Sequence, residues 1–297
     1  MSLSDQSPAS TTRSLSPVGF NLLVWTAAIS EQMNPIADRL KTIGYDGVEC
    51  FVDTQDVAVY QKFGDHLKQT GLQSTCVTVV GPDTNPASDS AIIRQQAIEH
   101  LKGVVDRAHA MGASVICGPF HSAFATFTRR EPQSEEYDRS AEVLHTVGEY
   151  ARQAGIILAP EALNRFECYL CNTMDQLAEL VRRADHPNVR AMFDTHHANM
   201  EEKRFPDAIR TIAPYLAHVH ISENDRGTPG DGHIPWDDTF RTLAEIDYQG
   251  WMTIEAFTRN DIDFANSINV WREFSSPWDI AEKGLTFIRS MQAKYAR

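Results

Sequence analysis

The sequence contains four residues that are each able to bind a metal ion or transfer a proton. Each of them lies at the end of a short apolar run or directly after one. They are Glu161, Asp194, His220 and Glu255. Three carboxylates crowded together with one imidazole are unfavourable unless a positive charge joins them, so a divalent cation is the natural partner. Mostly oxygen ligands with a single nitrogen favour Mn²⁺, Mg²⁺, Co²⁺ or Fe²⁺, and four such ligands leave about two positions of an octahedral ion open for substrate oxygens.

Each of these residues taken alone has a simpler interpretation, because a single acid at a strand end is usually solvated or caps a helix. The argument for a metal site depends on all four occupying equivalent positions. Glu167, His197 and Arg226 lie in the segments that follow. His197 could hydrogen-bond a substrate or lie on the surface, and Arg226 could bind substrate oxygens bidentately or form a loop salt bridge. For Glu49, a further acid, the spacing indicates no role.

The segments that carry these residues alternate between two patterns. Short runs rich in β-branched and apolar residues are separated by stretches whose apolar residues recur every three or four positions, as in strands and amphipathic helices. The eight runs are 19–25, 47–52, 73–80, 114–119, 156–162, 189–195, 217–222 and 251–256. This alternation predicts an α/β fold, a single (β/α)₈ TIM barrel over residues 18–297, whose active site would lie at the C-terminal strand ends. A doubly wound open sheet is the alternative, but no glycine-rich turn follows the first run.

Charge and composition exclude several classes of partner. The 297 residues include 27 Lys and Arg against 40 Asp and Glu, a net charge of −13. Nucleic acid and anionic membranes require a basic face, so we expect neither as a partner. No run approaches the roughly 18 apolar residues of a membrane span. Residues 1–17 are polar and rich in serine, which predicts a disordered N-terminal tail rather than a secretory signal.

The cysteines indicate a reducing environment. There are five, an odd number, and three of them lie inside the predicted strands, which favours a cytoplasmic protein over a disulfide framework. Cys168 and Cys171 have the spacing of a redox or zinc pair. No second pair follows them, so we interpret both as packing residues.

Four segments resemble signature motifs of the ketose 3-epimerases, the D-tagatose and D-psicose 3-epimerases of the xylose isomerase-like TIM-barrel superfamily. They are residues 160–172 (PEALNRFECYLCN), 194–202 (DTHHANMEE), 218–226 with 229–237 (HVHISENDR and PGDGHIPWD), and 254–257 with 270–272 (IEAF and VWR). The similarity covers roughly residues 18–297. The last motif has Glu-Ala-Phe where the family pattern has Glu-Pro-Phe, and the N-terminal loops match poorly, so the resemblance does not identify the individual sugar.

The resemblance implies metal-dependent epimerisation of a free ketose at C3 through a cis-enediolate intermediate. It implies one divalent ion, Mn²⁺ with Co²⁺ or Mg²⁺ as substitutes, and a homodimer or homotetramer. The matching metal ligands are Glu161, Asp194, His220 and Glu255. The two glutamates among them also match the catalytic acid and base. The residues that match the positions holding the O1–O3 end of the sugar are Glu167, His197 and Arg226.

Three other functions share features with this interpretation. An aldose–ketose or 2-oxo-sugar isomerase would use the same barrel and metal to move a proton between C1 and C2. A metal nuclease of the apurinic-site type would require a basic groove and more ligands, which the net charge disfavours. A silent sugar-binding module would tolerate the loss of one catalytic glutamate, yet both are present. The absence of a glycine-rich or basic phosphate cradle in the sequence favours an unphosphorylated sugar.

Overall fold

In this computed structural model, which describes residues 15–296, eight parallel strands and their intervening helices form a TIM barrel. The strands are β1 Val18–Asn21, β2 Gly47–Phe51, β3 Gln73–Val77, β4 Val115–Gly118, β5 Ile157–Pro160, β6 Ala191–Asp194, β7 Leu216–Ile221 and β8 Trp251–Ile254. They are hydrogen-bonded in the order β5-β4-β3-β2-β1-β8-β7-β6. A parallel bridge between Leu158 and Val189 joins the seam between β5 and β6. The predicted fold class is confirmed.

The helices of the described residues cover the outside of the barrel and frame its ends. They are α1 Asn34–Ile43, α2 Val57–Thr70, α3 Ala91–Met111, α4 Ser134–Gln153, α5 Met174–Ala184, α6 Thr195–Glu201, α7 Phe205–Ile212, α8 Trp236–Glu245, α9 Ile262–Ser267 and α10 Pro277–Tyr295. Helix α5 shows why they form. The Thr173 hydroxyl caps its first turn by accepting from the Gln176 backbone N–H, and its buried face carries Leu177 and Leu180. None of the described helices is long and apolar enough to cross a bilayer.

The two faces of the strands enter two different cores. Outward-facing residues such as Phe20, Val48 and Ile116 pack against the helices in the larger apolar cluster. Inward-facing residues, among them Val115 and Met192, form a smaller cluster within the barrel. Because side chains alternate along a strand, every second residue of each strand is available to the barrel interior and its open end. All five cysteines are buried and free.

The predicted strand ends require correction. The first predicted run, 19–25, is a strand only as far as Asn21, because the Asn21 side chain accepts from the Leu23 backbone N–H and starts the 3₁₀ turn Leu22–Val24. The third run, 73–80, ends as a strand at Val77. The other six runs match their strands to within two residues at each end. Of the predicted N-terminal tail, residues 1–14 lie outside the described part of the chain.

Gly118 is a backbone position that supports the barrel end near Glu161. It ends β4 with φ +116°, where a Cβ would lie 2.3 Å from the Thr78 carbonyl oxygen, and its own carbonyl accepts from the Glu161 backbone N–H. We therefore expect Gly118→Ala to lower the free energy of unfolding by roughly 3 kcal/mol, from left-handed strain plus a backbone clash. Urea denaturation monitored by circular dichroism measures the change.

Gly155 provides the matched control for this prediction. It is also left-handed, with φ +71°, but no heavy atom lies within 4 Å of its hypothetical Cβ. Gly155→Ala should lose only about 1 kcal/mol, the conformational part of the penalty. Equal losses in the two variants would show that the close approach to Thr78 carries no energetic weight.

Candidate active site

The four sequence-predicted metal ligands converge at the C-terminal end of the barrel. Glu161 directly follows β5, Asp194 is the last residue of β6, His220 is the next-to-last residue of β7, and Glu255 directly follows β8. Each offers a ligand atom that lies within 4.8 Å of the corresponding atoms of the other three, and all four side chains are buried. The structure thus brings together the complete set as one compact cluster.

Two atoms of this cluster indicate that it is built to hold a cation. Among the described residues, Glu161 Oε1 and His220 Nδ1 are buried and have no hydrogen-bond partner. A buried polar atom left without a partner costs about 1–3 kcal/mol, so such atoms normally have a function. His220 Nδ1 lies 3.3 Å from Glu255 Oε2 and 3.6 Å from Asp194 Oδ2, facing the other proposed ligands. A divalent cation would be ligated by both orphaned atoms, and the chemistry of the donor set fits it.

Asp194 caps a helix with one carboxylate oxygen and directs the other at the cluster. Its Oδ1 accepts from the backbone N–H groups of His196 and His197 at 2.6 and 3.3 Å, which caps the N-terminus of α6. Its Oδ2 accepts from Ser222 Oγ at 3.2 Å and faces the ligand cluster. One oxygen therefore fixes the carboxylate while the other stays directed at the cluster.

Arg226 reaches the same cluster from the loop after β7. Its Nη1 donates to Asp194 Oδ2 at 3.0 Å and to Glu255 Oε2 at 2.8 Å, and the guanidinium lies 4.9 Å from the ring centroid of Phe257. Arg226 therefore lies within the cluster and forms buried salt bridges with Asp194 and Glu255. Its charge offsets part of the negative charge of the carboxylates.

His197 is a neutral imidazole directed into the cluster rather than a surface residue. Burial and the nearby charge of Arg226 hold the pKa of His197 well below its usual value. Its Nδ1 accepts from the Asn164 backbone N–H at 3.2 Å. Its Nε2 lies 3.7 Å from Glu161 Oε1 and 2.8 Å from Arg226 Nη2, which is a donor. His197 and Arg226 thus border the same small volume.

Glu167 lies at the edge of the cluster and is held by Asn164, a residue that the sequence analysis did not single out. The Asn164 side-chain amide donates to Glu167 Oε1 at 2.7 Å, and its backbone N–H donates to His197. Asn164 therefore connects two of the predicted substrate-binding residues. Asn164 is one of several polar residues in the segment 160–167, and its spacing gave no separate chemical signal.

The pKa values of two groups in the cluster, Glu161 and His220, are both raised. Burial, reinforced by the charges of Glu255 and Asp194, raises the pKa of Glu161 well above its usual value. For His220, burial opposes protonation, but the carboxylates of Glu255 and Glu49 outweigh it and raise the pKa of the imidazole well above its usual value. Both groups therefore hold protons where an isolated side chain of the same type would release them.

A cavity of about 680 Å³ opens above the cluster. Its polar floor includes Glu161, Glu255 and Arg226, and much of its wall is apolar, with Phe51 and Phe257 among the lining residues. A concave site with a few convergent polar groups and an apolar wall is typical of small-molecule enzymes.

Comparison with known proteins is consistent with this geometry. A family model described as xylose isomerase-like TIM barrel matches residues 37–291. The D-psicose 3-epimerase of Ruminiclostridium cellulolyticum is 34% identical over 198 residues, 66% of this chain and 68% of that one. The D-psicose 3-epimerase of Agrobacterium fabrum is 28% identical, over 87% of this chain and 91% of that one. The crystal structure of D-psicose 3-epimerase with D-tagatose from Clostridium cellulolyticum H10 has a TM-score of 0.85 at 27% identity, covering 93% of this chain and 99% of that one.

The raised pKa values of Glu161 and His220 predict how metal affinity depends on pH. Below its raised pKa each group carries a proton that an incoming cation must displace, so affinity is weak at low pH and strengthens as pH rises. We expect Mn²⁺ affinity to increase roughly tenfold per pH unit for each proton released, over the pH range below the raised pKa of each group. Electron paramagnetic resonance of free Mn²⁺ measures it. An affinity that is flat over this range would contradict the protonated state of both groups.

Proposed function

We propose that this protein inverts C3 of a free ketose with one bound divalent metal ion. The proposal starts from the family, because the chain belongs to the xylose isomerase-like TIM barrel family and to the ketose 3-epimerases within it. The protein is an isomerase of the carbohydrate epimerase class. The observation that carries the proposal is the convergence of Glu161, Asp194, His220 and Glu255 within 4.8 Å at the barrel end. Mn²⁺ is the proposed ion, with Co²⁺ or Mg²⁺ as substitutes, since the donor set is three carboxylates and one imidazole.

The proposed ion and the protein divide the chemistry between them. When bound, the ion would supply Lewis-acid stabilisation of the negative charge that develops on the C2 oxygen of the ketose. The protein supplies the rest. Arg226 and His197 lie together beside the cluster, and Glu167 lies at its edge, so we assign these three side chains to the O1–O3 end of the sugar.

Glu161 and Glu255 are the proposed proton carriers. They follow β5 and β8, which are separated around the barrel by β6 and β7, so the two carboxyl groups approach the cluster from different sides. One removes the C3 proton to give a cis-enediolate, and the other returns a proton to the opposite face of C3. Two groups of one type suit a reversible reaction, in which each is acid in one direction and base in the other.

The charge of the cavity favours an unphosphorylated sugar. Among the described residues that line it, Arg226 is the one Lys or Arg, and its Nη1 already donates to Asp194 and Glu255. A phosphate group would require further cationic or backbone N–H donors. The relatives include epimerases named for D-psicose and for L-ribulose, which are unphosphorylated ketoses.

The proposal extends to the compartment and to the oligomeric state of the enzyme. We propose that the enzyme works in the reducing cytoplasm, an assignment supported by its five free, buried cysteines. We also propose a homodimer or homotetramer, which rests on the resemblance to the ketose 3-epimerases alone.

The position of deuterium in the product tests the proposed reaction. After chelation and addition of Mn²⁺, incubation with D-psicose, D-tagatose or L-ribulose in D₂O should give the C3 epimer with deuterium at C3, because the proton passes through a carboxyl group that exchanges with solvent. Nuclear magnetic resonance of the sugars detects the label. The chelated protein without added metal serves as the control and should be inactive. An aldose product labelled at C2 would instead identify an aldose–ketose isomerase.

Replacing either proton carrier should remove most of the turnover. We expect Glu161→Gln and Glu255→Gln to lower kcat by about 10²–10⁴-fold, the usual contribution of general acid–base catalysis. Bound Mn²⁺ is measured in each variant, so that loss of proton transfer is separated from loss of metal. Glu202→Gln, at a carboxylate that accepts from the Met174 backbone N–H away from the cluster, is the control and should retain full activity. A Glu161→Gln enzyme that binds Mn²⁺ and keeps more than about a tenth of kcat would contradict the assignment.

A further inference from the structure

Glu49 is a fully buried acid inside the barrel that none of the roles above explains. It lies in the middle of β2, below the four proposed ligands, and its side chain is completely inaccessible to solvent. A carboxylate in such a place is strongly unfavourable unless hydrogen bonds and opposite charge surround it. Its five polar contacts are His220 Nε2 at 2.7 Å, Thr75 Oγ1 at 2.8 Å, His218 Nε2 at 2.9 Å, Asn21 Nδ2 at 3.0 Å and Cys117 Sγ at 3.2 Å.

The contact with His220 determines which ring nitrogen faces the metal cluster. Glu49 Oε1 accepts from Nε2, so once a cation displaces the second ring proton, the remaining N–H is on Nε2 and the lone pair is on Nδ1. Nδ1 is the buried, unpartnered atom that faces Asp194 and Glu255. A carboxylate that accepts from the far nitrogen of a metal-binding histidine fixes its tautomer and orientation and raises its basicity.

Asn21 extends this influence to a second proposed ligand. Its side-chain amide lies between two carboxylates, donating to Glu49 Oε1 at 3.0 Å and to Glu255 Oε1 at 3.3 Å. Its own oxygen accepts from the Leu23 backbone N–H at 2.9 Å, which fixes the direction of the amide. Glu49 is thereby connected to His220 directly and to Glu255 through one intervening side chain.

The same interior group could be interpreted as a second metal site, because ligand atoms of Glu49, Cys117, His218 and His220 lie within 4.8 Å of one another. The contacts favour a hydrogen-bonded anion instead. The Cys117 thiol donates to Glu49 Oε2 at 3.2 Å, and Thr75 Oγ1 donates to the same oxygen at 2.8 Å. Glu49 Oε1 accepts from Asn21 Nδ2 at 3.0 Å and from His220 Nε2 at 2.7 Å. The carboxylate oxygens already have donors around them.

We propose that Glu49 is a positioning residue of the metal centre, which holds His220 in the tautomer and orientation that direct Nδ1 at the ion and steadies Glu255 through Asn21. The inference rests on the proposed function, since it assumes that the four-residue cluster binds a cation. It assigns to Glu49 no contact with substrate or metal.

Glu49→Gln is the direct test, because it keeps the shape of the side chain and removes the negative charge. We expect its Mn²⁺ affinity, measured by electron paramagnetic resonance, to fall by about 10–100-fold, the usual effect of losing such a partner. With Mn²⁺ saturating, the KM for ketose should stay within about twofold of the unaltered enzyme. Glu49→Asp, which withdraws the carboxylate by one methylene, should also weaken Mn²⁺ binding and serves if the glutamine variant does not fold.

Glu136→Gln is the matched control for burial of a carboxylate. Glu136 is a buried acid on α4 that pairs with Arg130 and contacts Tyr169, outside the metal cluster. Its replacement should lower the melting temperature and leave Mn²⁺ affinity unchanged, which separates a loss of stability from a loss of metal positioning.

The outcomes distinguish this inference from the function on which it rests. Equal Mn²⁺ affinities in Glu49→Gln and the unaltered protein would overturn the positioning role. Binding of two ions per chain, with one lost in Cys117→Ala, would also overturn it in favour of a second metal site. Absence of Mn²⁺ binding in the unaltered protein would overturn both proposals. If the unaltered protein epimerises no ketose but Glu49→Gln still binds Mn²⁺ more weakly, the positioning role stands and only the proposed reaction is rejected.

Discussion

The excess of negative charge at one buried end of the barrel is the constraint on which the site depends. Glu161, Asp194 and Glu255 share that space with the Arg226 guanidinium and the imidazoles of His220 and His197, and Glu49 lies beneath them. Buried carboxylates at this separation remain together only if protons, cationic side chains or a metal ion balance them. The raised pKa values of Glu161 and His220 and the position of Arg226 are all responses to the same imbalance. One divalent ion would balance much of this negative charge and still leave coordination positions for substrate oxygens.

The barrel meets this constraint with strand register rather than with flexible loops. Asp194 and His220 are register partners on adjacent strands, and the backbone N–H groups of Glu161 and Glu255 donate to the ends of β4 and β7. Backbone hydrogen bonds of neighbouring strands thus fix the Cα positions of the ligands before any ion binds. Contacts such as the α6 cap on Asp194 and the Glu49 bond to His220 then fix the side chains. Preorganised ligands supported in this way hold a site to the precision that catalysis requires.

The sequence predicted the parts of this arrangement that depend on periodicity and strand ends. Eight apolar runs were enough to predict the barrel, and the residues at or near the ends of four of them were enough to select the four residues that converge. The network beneath was not predictable, because whether Glu49, Asn21 and Cys117 face the interior depends on the register and depth of each strand around the closed barrel. The early end of the first strand was missed for a local reason, since the Asn21 side chain turns the chain where apolar residues continue.

Anomalous X-ray scattering at the manganese absorption edge tests the central claim most directly. Crystals grown with Mn²⁺ should show one strong anomalous peak per chain, within bonding distance of Glu161, Asp194, Glu255 and Nδ1 of His220. The Nε2 atom of that histidine should remain against Glu49. A peak elsewhere in the molecule, or no peak with these side chains turned away from one another, would contradict the account.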